Sequence, residues 1–222
     1  VAMKKKKRLL VSLAALVIAF SIWPFTVCRD VQYIQFSTGQ SDAAAVLDGR
    51  ETVVIDAGEY GGDVANYLLC TGRQANTLIC THLHRDHFLG IRQFLEDRVP
   101  IGRLILPAGA LDVLADEECL QLLAQLEEME IPVHFMHAGQ YFETGRCRFT
   151  ALWPVEGTAV SGADANRYPL ALYCDLDGVT FLTASDMDGA YEHYIAQDAD
   201  ILKVAHHGSN HSTSDVFLQS VT

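Results

Sequence analysis

Lysine almost disappears after residue 30: Lys203 is the only one in the rest of the 222-residue chain. Residues 31–222 carry ten basic side chains against 27 acidic ones, a formal charge of −17. A domain so poor in positive charge has no electrostatic footprint for sequence-independent duplex binding. If it acts on a polyanion, bound metal ions must offset the local charge. The six cysteines, at positions 28, 70, 80, 119, 147 and 174, form no C-x-x-C pair. A zinc ribbon and a thioredoxin-type site are thereby excluded. Cys80 and Cys147 sit in strand-like runs and are expected as buried free thiols. No internal repeat occurs, and no low-complexity segment follows the N-terminus. With 50% hydrophobic and 20% charged residues, the chain is not disordered, collagen-like or a coiled coil. Its length suits one α/β domain with a real core.

The missing positive charge is concentrated at the start. Lys4–Arg8 form a basic run ahead of the apolar stretch Leu9–Val27. This pattern predicts an export signal, with Ala19 and Ser21 as a small-residue cleavage site. The alternative is a retained anchor, because 19 residues can span a bilayer with the basic flank in the cytoplasm. A lipid anchor at Cys28 is disfavoured by the bulk of Phe25 and Val27. In each case residues 1–30 form a signal or anchor. Residues 31–222 form the folded domain, expected to be secreted or held outside the membrane, with any membrane contact made through residues 9–27. No protein partner follows from the sequence.

From residue 31 onward, short apolar runs alternate with turn residues. Strands are expected at Val31–Ser37, Ala43–Leu47, Thr52–Ile55, Thr77–Cys80, Leu104–Leu106, Val133–Met136, Cys147–Leu152, Ala171–Leu176 and Thr180–Thr183. Ile201–Ala205 reads as another buried strand. Asp48-Gly49-Arg50 reads as a hairpin turn. Helical spacing is expected at Asp63–Leu69, Phe88–Asp97, Leu111–Met129, Asp188–Ile195 and Asp215–Ser220. Strands followed by strand–helix alternation, twice over, predict an αββα sandwich of two mixed sheets with helices outside. The chain stops just after its last helix, where such a fold would place one more strand, so the C-terminus reads as truncated.

The chemistry concentrates in Thr81-His82-Leu83-His84-Arg85-Asp86-His87. Four ligand-type side chains fall within six positions, directly after a buried strand. In an extended loop, positions two apart share a side, so His82 and His84 can hold one ion. Asp86 and His87 lie where the chain turns into a helix and can face a second ion. Three imidazoles and a carboxylate suit Zn, Mn or Fe. Two other strand ends add groups of the same kind. Asp186 follows Thr180–Ser185 and can bridge two ions, although an N-cap role is its competing use. His206-His207-Gly208-Ser209 follows Ile201–Ala205 and offers a ligand plus an anion-contacting group.

These motifs resemble the metallo-β-lactamase superfamily: an H-x-H-x-D-H run, a downstream strand-end Asp and a final His. Within it, Gly39-Gln40-Ser41-Asp42, Val54-Ile55-Asp56-Ala57-Gly58 and Leu202–Ser209 resemble motifs of the nuclease domain of ComEC-type competence proteins and its stand-alone relatives. The likeness covers residues 31–222 in order. It implies that His82 and His84 bind the first metal, that Asp86, His87 and His207 bind the second, and that Asp186 bridges. It implies His206 and Ser209 as phosphate contacts, and Asp42 and Asp56 as supports behind the ligands. Asn166 stands where many superfamily members supply another histidine, which weakens the first metal site. Ser41 replaces a glycine of the motif. His84 is the general superfamily form where ComEC-type domains more usually have Asp.

The expected function is an exported hydrolase of phosphodiesters, with DNA as leading substrate and one or two Zn or Mn ions as cofactor. The metals, Lys203 and His206 would stabilise the developing charge, and the acidic surface favours a single strand over a duplex. Another hydrolase on the same fold (a phosphocholine esterase, lactonase or β-lactamase) and an inactive metal-binding module are the rival readings.

Overall fold

The structure, a computed structural model, describes residues 30–158 and 161–221. The signal or anchor expected within residues 1–29, including Cys28, lies outside them. Among the described residues, no helix is long and apolar enough to cross a membrane.

Two mixed sheets are stacked. The first contains β1 (Gln32–Gln35), β2 (Ala43–Asp48), β3 (Glu51–Ala57), β4 (Thr77–Ile79), β5 (Leu104–Pro107) and β6 (Val133–Met136), in that spatial order. Its first two pairings are antiparallel and the last three parallel. The second sheet contains β7 (Tyr141–Thr144), β8 (Cys147–Trp153), β9 (Ala171–Leu176), β10 (Val179–Thr183) and β11 (Ile201–Lys203), in the order β11-β10-β9-β8-β7. Here only β10 and β11 run parallel.

The period-two pattern of the strands explains the layering. Val53, Ile55, Ile79 and Ile105 point into the space between the sheets. There they meet Phe149, Leu172, Cys174 and Phe181. Val54, Leu78, Leu104 and Leu106 point the other way, onto helices α1 (Gly62–Thr71), α2 (Arg85–Phe88), α3 (Ile91–Glu96) and α4 (Glu117–Glu128). The outer face of the second sheet packs through Leu182, Ala184 and Met187 against Phe217 of α5 (Asp215–Ser220). The result is the expected αββα sandwich, with a thin second helical layer. Cys80 and Cys147 are buried free thiols, as the strand pattern predicts; Cys119 and Cys174 are also buried, and Cys70 is exposed.

Local differences from the sequence pattern have local causes. The expected helix Leu111–Met129 begins only at Glu117. Leu114 is captured by a bridge to Asp164, and its N–H donates to Ala163 O at 2.7 Å. The expected helix Asp188–Ile195 reduces to one 3-10 turn, Glu192–Tyr194. Backbone groups of that segment bond elsewhere: Asp188 N–H donates to Asn166 O and Gly189 N–H to His211 O. The run Phe88–Asp97 is split between α2 and α3 at Gly90. β11 is an edge strand rather than a buried one, with Ile201 47% exposed. β7 carries no predicted signal, because an edge strand with one half-buried face has little apolar content.

Candidate metal centre

The candidate ligands follow strand ends at one end of the two sheets, with Asp86 and His87 in the short helix α2 and His207 in a 3-10 turn. The loop after β4 is fixed from below by Asp56, the penultimate residue of β3, which is buried and adopts positive φ (57°). Its carboxylate accepts from Thr81 N–H at 2.7 Å and Thr81 Oγ1 at 2.8 Å, and lies 2.9 Å from His87 Nδ1. Ser185, next to Asp186, donates its hydroxyl to Thr81 Oγ1 at 2.7 Å and so ties the two sheets' loops together. The turn before β2 joins the same frame: Asp42 N–H donates to Asp86 O at 3.1 Å.

With Nδ1 engaged by Asp56, His87 presents Nε2 to Asp186 Oδ2 at 3.3 Å. His207 Nε2 lies 3.2 Å from both Asp186 Oδ2 and Asp86 Oδ2. His206 Nε2 is farther from Asp186, at 3.7 Å. Both histidines have positive φ, and His206 N–H donates to Ser185 O at 3.0 Å. Their loop is staked behind by buried Glu192, whose carboxylate accepts from Thr213 N–H, Ser214 N–H and Ser214 Oγ. Among the described residues, one group of side chains has ligand atoms all within 4.8 Å of one another: Asp42, His87, Asp186 and His207.

The remaining expected residues are distributed around this group. His82 is buried beside it, its ring centroid 4.1 Å from that of His87, and its Nε2 lies 3.1 Å from His84 Nδ1. Lys203 does not reach the open cleft: its ammonium bonds Asp42. It borders a small internal cavity with Tyr33, Asp56 and Ser185. Asn166 lies in a 3-10 turn, Ala165–Arg167, and its buried Oδ1 has no partner. Ser209 Oγ accepts from His211 N–H at 3.3 Å and keeps its own proton free to donate. Asp42 is the position whose placement the sequence does not reveal. It was expected as a support but stands among the clustered donors.

Electrostatics shows what this group lacks. Burial pushes the Asp186 carboxyl up, but the imidazoles of His207 and His87 beside it outweigh that and hold the carboxyl far below the usual range. Asp86 is likewise lowered, with burial opposed mainly by His207 and His87. Hydrogen bonds to Asp186 and Asp86 raise His207 to about 9. Burial alone would lower His87, yet Asp56 and Asp186 raise it well above an ordinary imidazole. Burial raises Asp56 despite His87 beside it. His82 is pulled well below its ordinary value by burial and then by His87. The carboxylates are therefore drawing protons onto imidazoles in a place that calls for cations. His87 Nε2 and Asp186 Oδ1 are buried without a hydrogen-bond partner. Such orphaned atoms need an explanation, and a divalent cation among N and O donors supplies one. The residues present fit the metal the fold implies.

Above this floor opens a cleft of about 780 Å³, bordered by Gln40, Tyr60, Asp86, His206, His207 and Ser209.

Comparison with known proteins agrees with this geometry. Residues 37–130 match the model of the metallo-beta-lactamase superfamily. ComE operon protein 3 of Bacillus subtilis (strain 168) is 28% identical over 154 residues, covering 67% of this chain and 19% of that protein. The chain thus spans only about a fifth of that relative. Among solved structures, the metallo-beta-lactamase fold protein YhfI from Bacillus subtilis superposes with a TM-score of 0.51 at 13% identity, over 78% of this chain and 70% of the other. An E377D mutant of the CmlA beta-hydroxylase superposes with a TM-score of 0.50 at 16% identity, over 78% of this chain and 34% of the other. The sandwich, its strand-end ligand loops and the matched segment together give this chain a metallo-β-lactamase-like α/β fold, and residues 37–130 resemble that superfamily in sequence.

Proposed function

We propose that the domain is an exported, metal-dependent phosphodiesterase that cleaves single-stranded DNA. The observation that supports it most is the floor of the cleft. Two buried ligand-type atoms there, His87 Nε2 and Asp186 Oδ1, lack partners, directly beneath a polar, open space. Divalent cations held by Asp42, Asp86, His87, Asp186 and His207, with His82 and His84 beside them, would supply Lewis acidity and acidify water. The rest of the chemistry belongs to the chain. Asp56 fixes the His87 ring through Nδ1 and leaves Nε2 to face the cation. His206, half-exposed at the mouth, and the Ser209 hydroxyl are placed to donate to phosphate oxygens. Lys203, expected to stabilise developing charge, pairs with Asp42 and in this reading acts by holding that carboxylate in place.

The fold alone does not select a reaction, as a hydroxylase among its neighbours illustrates. DNA is favoured by the ComEC-type motifs and by the match to ComE operon protein 3. The setting they support is competence-linked DNA uptake. A panel of single-stranded DNA, bis-p-nitrophenyl phosphate, a lactone and a cephalosporin, with Mn²⁺ or Zn²⁺, tests the reading. Hydrolysis of the first two alone is expected, with one tight and one weaker metal equivalent in a titration. Turnover confined to the lactone or the cephalosporin, or metal bound with no turnover at all, contradicts it.

Export rests on Lys4–Arg8 and the apolar run that follows. An alkaline phosphatase fused after Thr222 should be active, since that reporter matures only outside the cytoplasm. Activity of a cytoplasmic reporter alone at the same junction would show that the domain stays inside.

A further inference from the structure

Tyr60 is the most exposed large hydrophobic side chain among the described residues, at 78%. It stands at the mouth of the cleft that holds Asp86, His206 and His207. A second recess of about 260 Å³, bordered by Ser37, Gly62 and Asp63, adjoins that cleft, and Thr38, Ser41 and Glu59 border both. Tyr60 borders both spaces and, among the described residues, is the only Phe, Tyr or Trp that borders either. Tyr60 joins none of the hydrophobic core clusters and leaves its ring available at the mouth of the cleft.

The backbone beneath the ring is fixed. Gly90 N–H donates to Gly58 O at 2.7 Å. Gly61 packs so closely on Gly90 that a Cβ there would lie 1.9 Å from Gly90 O. The turn that carries Tyr60 is therefore held against the loop that follows the ligands, which presents the ring at a set place relative to the metal centre.

Among the described residues, no lysine or arginine borders the cleft. The two histidines are the only side chains bordering it, among the described residues, that can carry positive charge, so affinity beyond the metal centre needs a further source. Stacking on an aromatic face is the sequence-tolerant source of affinity that single-stranded nucleic acids offer and that lactones and lactams lack.

We propose that Tyr60 is the base-stacking platform of the site, so that the substrate is a single-stranded polynucleotide running from the catalytic cleft over Tyr60 into the second recess. This rests on the phosphodiesterase reading and narrows it to substrates bearing bases. Tyr60 acts on binding, through KM, and takes no part in bond cleavage.

The test uses the full chain loaded with Mn²⁺ and two fluorescent oligomers of equal length, oligothymidylate and its abasic deoxyribose-phosphate counterpart. The wild-type chain should prefer the base-bearing oligomer. Losing one stacking platform is worth about 5- to 150-fold in affinity. Tyr60→Ala should accordingly raise KM for oligothymidylate by at least about five-fold, leave kcat within about two-fold, and remove the preference over the abasic oligomer. Tyr60→Phe and Tyr60→Trp should keep both properties. Fluorescence anisotropy with Ca²⁺ in place of Mn²⁺ should show the same loss of oligothymidylate binding without turnover. Equal KM values for the two oligomers in the wild-type chain, or a Tyr60→Ala variant that keeps the preference, would overturn the assignment while leaving phosphodiester hydrolysis intact. Absence of cleavage of either oligomer would remove the underlying reading and this assignment with it.

Discussion

Asp186→Asn should lose bound metal and hydrolysis together. Asp186 is buried between His87 and His207, and its carboxylate approaches both within 3.3 Å. Its Oδ2 faces Nε2 of both rings, and its buried Oδ1 has no hydrogen-bond partner. A neutral amide keeps the shape, but half of its polar face becomes a donor that repels a cation. The loss in metal affinity should exceed the 10- to 100-fold typical of removing a group that only supports a ligand. His207→Ala should resemble it, because that side chain also faces Asp86. His206→Ala should differ in kind. Its ring lies farther from Asp186 and faces the open cleft, so metal content should stay close to wild type. Turnover should fall by about 100- to 1000-fold, the usual cost of one charge-stabilising donor. Metal content by elemental analysis, set beside phosphodiester turnover, separates the two behaviours. A His206→Ala protein stripped of metal, alongside a His207→Ala protein that retains it, would reverse the two roles. An Asp186→Asn protein with full metal occupancy would mean that the cation sits elsewhere.

Much of this site could be read in the sequence because its chemistry is local. His82, His84, Asp86 and His87 occupy a single loop after a buried strand, and a short apolar run fixes where that loop must start. The strands that lead into them are short apolar runs bounded by turn residues, which made the two-sheet sandwich legible. What escaped depends on contacts between distant segments. Lys203 and Asp42 meet across 161 positions, and nothing near Lys203 signals that its charge is already engaged. Asp42 enters the donor group because its turn docks on Asp86 O, a contact that needs both loops in place. The acid-rich stretch from Leu111 has helical spacing throughout, yet its first turn is lost to pairing with the 163–164 segment. Periodicity reports which face a segment would bury. It does not report which other backbone competes for its N–H groups.

The close approach beneath the site gives the second large effect. Gly90 separates α2 from α3 and has an ordinary helical φ of −57°, so alanine meets no backbone strain there. The obstacle is steric: a Cβ would lie 2.0 Å from Ala57 O and 2.8 Å from Gly58 O. These are backbone atoms at the end of a central strand, and they cannot swing aside as a side chain would. Relief requires α3 to move off the strand, which breaks the Gly90–Gly58 hydrogen bond and uncovers buried Phe88, Ile91 and Phe94. Overpacking a well-filled core typically costs about 1–3 kcal/mol, and a clash with backbone on this scale belongs at or above the upper end. In a domain of this size, that lowers the midpoint of thermal unfolding by roughly 6–12 °C. Gly62→Ala is the matched control, because a Cβ there meets nothing within 4 Å. It should melt with the wild type or slightly above it, since alanine is the better helix former. The strand end that Gly90 touches continues from Asp56, which orients His87, so Gly90→Ala should also weaken metal binding in whatever fraction stays folded. Calorimetry on the two variants, with and without added Mn²⁺, reads both effects. If Gly90→Ala unfolds at the wild-type temperature and takes up metal as well, the ligand loop is not held by this contact.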